Sequence, residues 1–177
     1  MLRRSFALAS VCGCVILFAL CAGCNSQPVN RIDYQMGERV TIGPLTYNVI
    51  ETKWPSQLGD VLRMRSPERR FFLISLSVTN GGGHPVALPL FSIEGSNGEL
   101  YRESENGEGV TNWLGMVRNI NPAQTVQGRA LFDVPLGSYR LRLPDGGDPG
   151  VEKYAWVQIP LHLDPNDSVE APVPGKQ

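Results

Sequence analysis

The sequence predicts an all-β protein, an antiparallel β-sandwich of seven or eight strands preceded by a signal-peptide helix. Three observations carry the prediction. Apolar residues recur with a period of two through most of the chain, as strands with one buried face require. Gly 19 plus Pro 14 in 177 residues is roughly 19%, against about 12% in average proteins, which implies many turns. Turn clusters such as "GGGHP", "ENGEG" and "PDGGDPG" separate the apolar runs.

The leader comes first. Arg3 and Arg4 form a positive start, a charge-free stretch "SFALASVCGCVILFAL" follows, and "CAGC" ends it with small residues. These are the three parts of a secretory signal. An uncleaved anchor is the competing reading, but the apolar run from about Phe6 to Gly23 sits near the lower limit of roughly 17 residues for a spanning helix. The end of the leader resembles the lipobox of bacterial lipoproteins, with Ala22 and Gly23 in the small positions and Cys24 as the residue modified. Cys21 stands where that pattern usually has Leu. A thiolate is the nucleophile that takes up the lipid, so a cysteine is required. Two or three acyl chains on Cys24 would hold the protein where one chain holds only marginally. The expected organisation is a signal peptide over 1–23, a lipidated terminus and tether over 24–33, a sandwich domain over 34–163 and a disordered tail over 164–177. All four cysteines lie at or before Cys24, so the domain must be stabilised by its core without disulfides.

Within the domain each strand is read from alternation. In "TYNVIETKW", Tyr47 and Val49 share one face while Ile50, Thr52 and Trp54 share the other. "FFLISLSVTN" sets Phe72, Ile74, Leu76 and Val78 against Leu73, Ser75, Ser77 and Thr79. "GRALFDVP" sets Ala130, Phe132 and Val134 against Leu131 and Asp133, and "YRLRL" alternates Tyr139, Leu141 and Leu143 with Arg140 and Arg142. "YAWVQIPLHL" puts Ala155, Val157, Ile159, Leu161 and Leu163 on one side. "RVTI", "VALPLFSI" and "ELYR" are shorter candidates.

The order of "GERVTIGPLTYNVIETKW", "FFLISLSVTNGGGHPVAL" and "NPAQTVQGRALFDVP" followed by "YRLRL" resembles a telokin-like bacterial family, domain of unknown function number forty-three fifty-two. The resemblance spans roughly Tyr34 to Leu163 and implies an immunoglobulin-like β-sandwich, usually exported and often on a lipoprotein. It implies no reaction, cofactor or ligand. It marks Gly37, Asn80, Pro122 and Gly128 as turn or bulge positions and Phe132 as core. Two features depart from a minimal member, an insert over Ser56–Arg69 and a loop over Glu103–Asn119, and function that varies within the family would reside there.

Chemistry-bearing patterns are sparse. His84 and His162 have no ligand partner at zinc spacing, so no metal and no cofactor is expected. Glu103, Glu105 and Glu108, or Asp145 and Asp148, offer oxygens for calcium, yet neither set matches a calcium-loop spacing. No serine sits in a nucleophile elbow, and "GGG" lacks the Lys-Ser/Thr of a phosphate loop. Arg63, Arg65, Arg69 and Arg70 crowd eight positions, suited to anionic headgroups or to a carboxylate or phosphate ligand. A solvated loop is the plainer reading of that run. Trp113 and Met116 belong to an apolar cluster that closes the core or meets a partner.

Without Arg3 and Arg4 the chain carries 14 cations against 17 anions, too balanced to imply nucleic acid. The expectation is a non-enzymatic binding module, held to the membrane by acyl chains on Cys24 and facing the periplasm or exterior, with an envelope protein or other extracytoplasmic partner. Asn25, where an Asp would suggest inner-membrane retention, favours the outer membrane. A structural scaffold without a small ligand is the alternative, and an envelope hydrolase the third reading.

Overall fold

Eleven strands and no helix make up the described residues, 33–148 and 150–164, of a computed structural model. The strands are Asp33–Gln35 (β1), Arg39–Ile42 (β2), Leu45–Lys53 (β3), Phe71–Asn80 (β4), Val86–Ala87 (β5), Ser92–Gly95 (β6), Leu100–Arg102 (β7), Asn119–Ile120 (β8), Thr125–Asp133 (β9), Tyr139–Pro144 (β10) and Tyr154–Ile159 (β11). One sheet has the order β1-β11-β10-β6-β7 and the facing sheet β2-β3-β4-β9, with β5 and β8 forming a small ladder. All pairs are antiparallel except β1 with β11. This is the expected β-sandwich. The count exceeds eight because short pairings such as β5 with β8 register as strands. The leader helix lies outside the described residues, as does the tail beyond Asp164.

The alternation in β4 explains the core. Phe72, Ile74, Leu76 and Val78 point between the sheets, where they meet Ala130, Phe132, Tyr139, Leu141, Leu143, Val157 and Ile159. Trp54 stacks on Phe72 with ring centroids 4.1 Å apart, and Tyr139 lies 5.7 Å from Phe72. Between β9 and β10 the chain crosses from one sheet to the other. Tyr139 fixes that crossing by donating its hydroxyl to the carbonyl of Pro135 at 2.5 Å, the tyrosine corner of immunoglobulin-like sandwiches.

The structure corrects three details. The pairing of β3 with β4 shifts register between Val49 and Glu51, so Ile50 is an extra residue. A bulge of one residue reverses the side-chain alternation beyond it. Thr52 and Trp54 therefore join Tyr47 and Val49 inside, while Ile50 faces out. At the other end of the chain β11 stops at Ile159, and Leu161 and Leu163 are exposed rather than sharing the core face. The single candidate strand "VALPLFSI" is two pieces, β5 and β6, in different sheets. Pro89, with no N–H to donate, falls in the break.

Candidate functional site

The two segments that depart from a minimal member pack together on the outer face of the β2-β3-β4-β9 sheet. Their seat is a second apolar cluster in which Leu58 covers Phe71, Leu73 and Leu131, with Val110 beside it. The insert folds back on itself, Leu58 and Arg65 exchanging backbone bonds of 3.0 and 2.8 Å. The loop over Glu103–Asn119 runs along the open edge of β9. Ser104 N–H donates to Leu131 O at 2.7 Å, Leu114 N–H to Arg129 O at 3.0 Å, and Arg129 N–H to Asn112 O at 2.8 Å. An edge that would otherwise offer unpaired backbone groups is thereby closed. Gly128 permits this approach, since a Cβ there would lie 2.7 Å from Asn112 O. Gly109 meets the backbone of Gly59 as closely, where a Cβ would fall 2.6 Å from its nitrogen.

The arginine run does not form a cluster. Arg65 is a strut: Nη1 donates to Asn106 O at 3.0 Å and Glu108 O at 3.1 Å, and the guanidinium lies over Phe71. Arg70 donates to the carbonyl of Trp54 at 3.2 Å. Arg69 sits over the ring of Tyr101, whose hydroxyl donates to Glu99 at 2.7 Å. Arg63 alone of the four stands at the exposed tip of the insert. Trp113 is half-buried against Gly107, and Met116 is exposed. Cys24 lies outside the described residues.

Glu103 is withdrawn from any calcium site. Its carboxylate, buried with Arg118, receives both Nη groups of that residue and the N–H of Phe91 at 2.9 Å. Burial raises its pKa, against the lowering by Arg118 and by the Phe91 N–H. With its oxygens engaged and its side chain shut from water, it cannot exchange a proton with a ligand. Among the described residues no three His, Cys, Asp or Glu side chains gather as a metal would need.

Two features escaped the sequence reading, one exposed and one half-buried. The tip of the insert holds Val61 and Leu62 at 89% and 92% exposure, with Met64 at 53%. The signal was there in "DVLRM", three apolar residues in a segment with no strand to bury them. The second is the outer face of the five-stranded sheet, where half-buried Arg140 lies over Trp156 at 4.8 Å and Arg142 over Tyr154 at 3.4 Å. Arg140 also pairs with Glu94 at 2.8 Å and with Asp33 at 3.7 Å. Alternation in "YRLRL" and "YAWVQ" already set these four side chains opposite the core.

Residues 34–153, more than half of the chain, match the profile of the family described as "Domain of unknown function (DUF4352)". No curated protein matches the sequence. Among solved structures, the chain is similar to the yjhA protein of Bacillus subtilis (TM-score 0.56, 14% identity, 71% of this chain and 98% of that one). It is also similar to a protein of unknown function from Listeria monocytogenes (TM-score 0.53, 12% identity, 72% and 84%). A third, the ycdA protein of Bacillus subtilis, is named as a candidate lipoprotein (TM-score 0.54, 15% identity, 70% of this chain). The match spans 38% of that longer protein. At such identities the likeness is one of fold.

Proposed function

We propose, from the premise that the chain belongs to the DUF4352 family, that it is a non-enzymatic interaction module carried outside the cytoplasm on a lipid anchor at Cys24. The observation that carries the reading is the contrast between the two outer faces. The insert and the long loop cover one, while the other carries half-buried Tyr154, Trp156, Arg140 and Arg142. Tyr, Trp and Arg are the side chains that dominate protein interfaces, because they bring large contact area at small entropic cost. Arg140 is already oriented by Glu94 and the indole, so less freedom is lost on binding. The leader supports the anchor and the extracytoplasmic address. The fold likeness to a candidate lipoprotein is consistent with both, and Asn25 favours the outer membrane.

Acyl labelling and pull-down test this reading. Cys24→Ser should abolish lipid labelling and leave the product unprocessed or unanchored; normal labelling of that variant would refute the anchor. Pull-down of the acylated chain from solubilised envelopes should recover a partner that Trp156→Ala loses. A second reading, a structural or accessory envelope scaffold that holds a partner complex and takes no small ligand, is favoured by Arg65 and Arg70, which serve the fold itself. An unchanged pull-down from Trp156→Ala would support it.

A further inference from the structure

We infer that the end of the sandwich bearing the insert tip rests on a lipid bilayer, with Val61 and Leu62 entering its surface. The inference rests on the lipid-anchor reading and adds an orientation to it.

The tip is held out by its own geometry. Asp60 Oδ1 accepts the N–H groups of Leu62 and Arg63 at 3.0 and 2.9 Å, and Asp60 O accepts Arg63 N–H again at 3.1 Å. This local turn needs no partner to form, and it points two large apolar side chains at solvent. Its base cannot swing, because Leu58 is buried and Gly59 is packed on Gly109.

The tip is not alone. The insert joins the end of β3 to the start of β4, where Phe71 pairs with Asp133. The β9–β10 corner and the end of β11 lie at the same end, since Tyr139 pairs with Ile159. That corner exposes Leu136, and the chain leaving β11 exposes Leu161, whose N–H bonds Ser138 in the corner at 3.0 Å. Three connections that leave this end of the strands thus each expose apolar side chains. Arg63 and Arg69 supply cations there. Of the acidic groups, Asp60 in the tip accepts the N–H groups of Leu62 and Arg63, Asp133 those of Glu68 and Arg69, and Glu99 the hydroxyl of Tyr101. Glu68 remains exposed. The arginines are offset by these carboxylates, and it is the exposed apolar tips that fit the interfacial zone of a membrane.

The tether allows the contact. From Cys24 to Asp33 there are nine residues, reaching about 30 Å when extended. Asp33 pairs with Trp156, three residues short of Ile159, or about 10 Å from this end along the strands.

The test uses the full-length acylated protein, in which removal of the leader and acylation of Cys24 leave an introduced cysteine as the only free thiol. Leu62→Cys and His84→Cys are each labelled with a polarity-sensitive fluorophore and reconstituted in vesicles of phosphatidylethanolamine and phosphatidylglycerol. His84 lies at the opposite end, beyond Asn80, which pairs with Leu45. The label at 62 should shift to the blue and be quenched by nitroxide-bearing lipid, while the label at 84 stays aqueous. Adding Val61→Ser and moving the label to Met64→Cys should diminish the shift. Equal aqueous spectra at 62 and 84 on protein shown by mass to be acylated would overturn the inference and leave the anchor standing. Shielding of residue 62 by added envelope proteins, and not by lipid alone, would overturn it in favour of a protein partner. A second labelled thiol at Cys24 would instead bring down the anchor on which the inference rests.

Discussion

Arg118 and Glu103 form a buried ion pair that closes the neck of the loop between them, with side-chain exposures of 3% and 0%. Arg118 also donates Nε to Gly115 O and covers the ring of Phe91. A single contact therefore joins both ends of the loop to the main core. Removing one partner strands the other charge in an apolar setting. Glu103→Ala should destabilise the fold by about 3–5 kcal/mol, whereas Glu103→Leu with Arg118→Met should recover most of that loss. Urea denaturation of the three proteins decides it, and a single variant within 1 kcal/mol of wild type would be inconsistent with the pair's burial.

Tyr139→Phe isolates the corner. The ring and its contacts with Phe72 and Tyr101 stay, and only the bond to Pro135 O is lost. A cost of about 0.5–1.5 kcal/mol at neutral pH is expected. A thermal midpoint unchanged from wild type would mean that packing alone makes the turn.

Alkaline stability follows from buried phenols. Tyr47 donates to Pro144 O at 2.7 Å; burial, and then Asp145, push its pKa far above the ordinary tyrosine range. Burial takes Tyr139 up to about 12. In the unfolded chain tyrosines ionise near 10, so above that pH the folded state binds more protons. Stability should fall as pH rises from about 10 towards 12, having been fully present below 10. Tyr47→Phe should flatten the decline in urea midpoint over that window; an identical slope would exclude Tyr47 as its source.

Arg65→Met tests the docking of insert on loop. It removes the bonds to Asn106 and Glu108 carbonyls but keeps an apolar stem over Phe71. Global stability should drop by about 1.5 kcal/mol, the low end for a charged group's hydrogen bonds, because Arg65 is half-buried rather than enclosed. Proteolysis within residues 59–64 and 104–112 should quicken by several-fold as local opening becomes easier. Equal nicking rates would show that the Leu58–Leu131 cluster holds the loops unaided.

Val61→Ser with Leu62→Ser should leave stability within about 0.5 kcal/mol of wild type, because neither side chain is buried. A larger loss on chemical denaturation would mean that the tip packs against the fold.

Much of the sandwich could be read directly from alternation. In β4, β9 and β10 every core residue expected from the period of two is buried, because a pleated strand with one apolar face has a single way to bury it. The same rule failed at Ile50. Nothing in "NVIET" distinguishes a bulge from a regular strand, and the register is set by the partner strand rather than by local residues. The arginines gave it nothing to act on. Four cations within eight positions resemble a patch, but a loop has no period from which to infer direction. Arg65 turns towards Glu108 and Arg70 towards Trp54 because of where distant segments lie.

Its amino acids alone specified an all-β domain with no cysteine from residue 34 to 163 and the faces of its regular strands. These are local or periodic properties, recorded in the order of polar and apolar residues. Only the tertiary structure decided where the two long loops docked and that Glu103 would pair with Arg118. The reason is that those outcomes depend on contacts between segments far apart in the chain. Side-chain volume and charge constrain such contacts only after the sheets have formed.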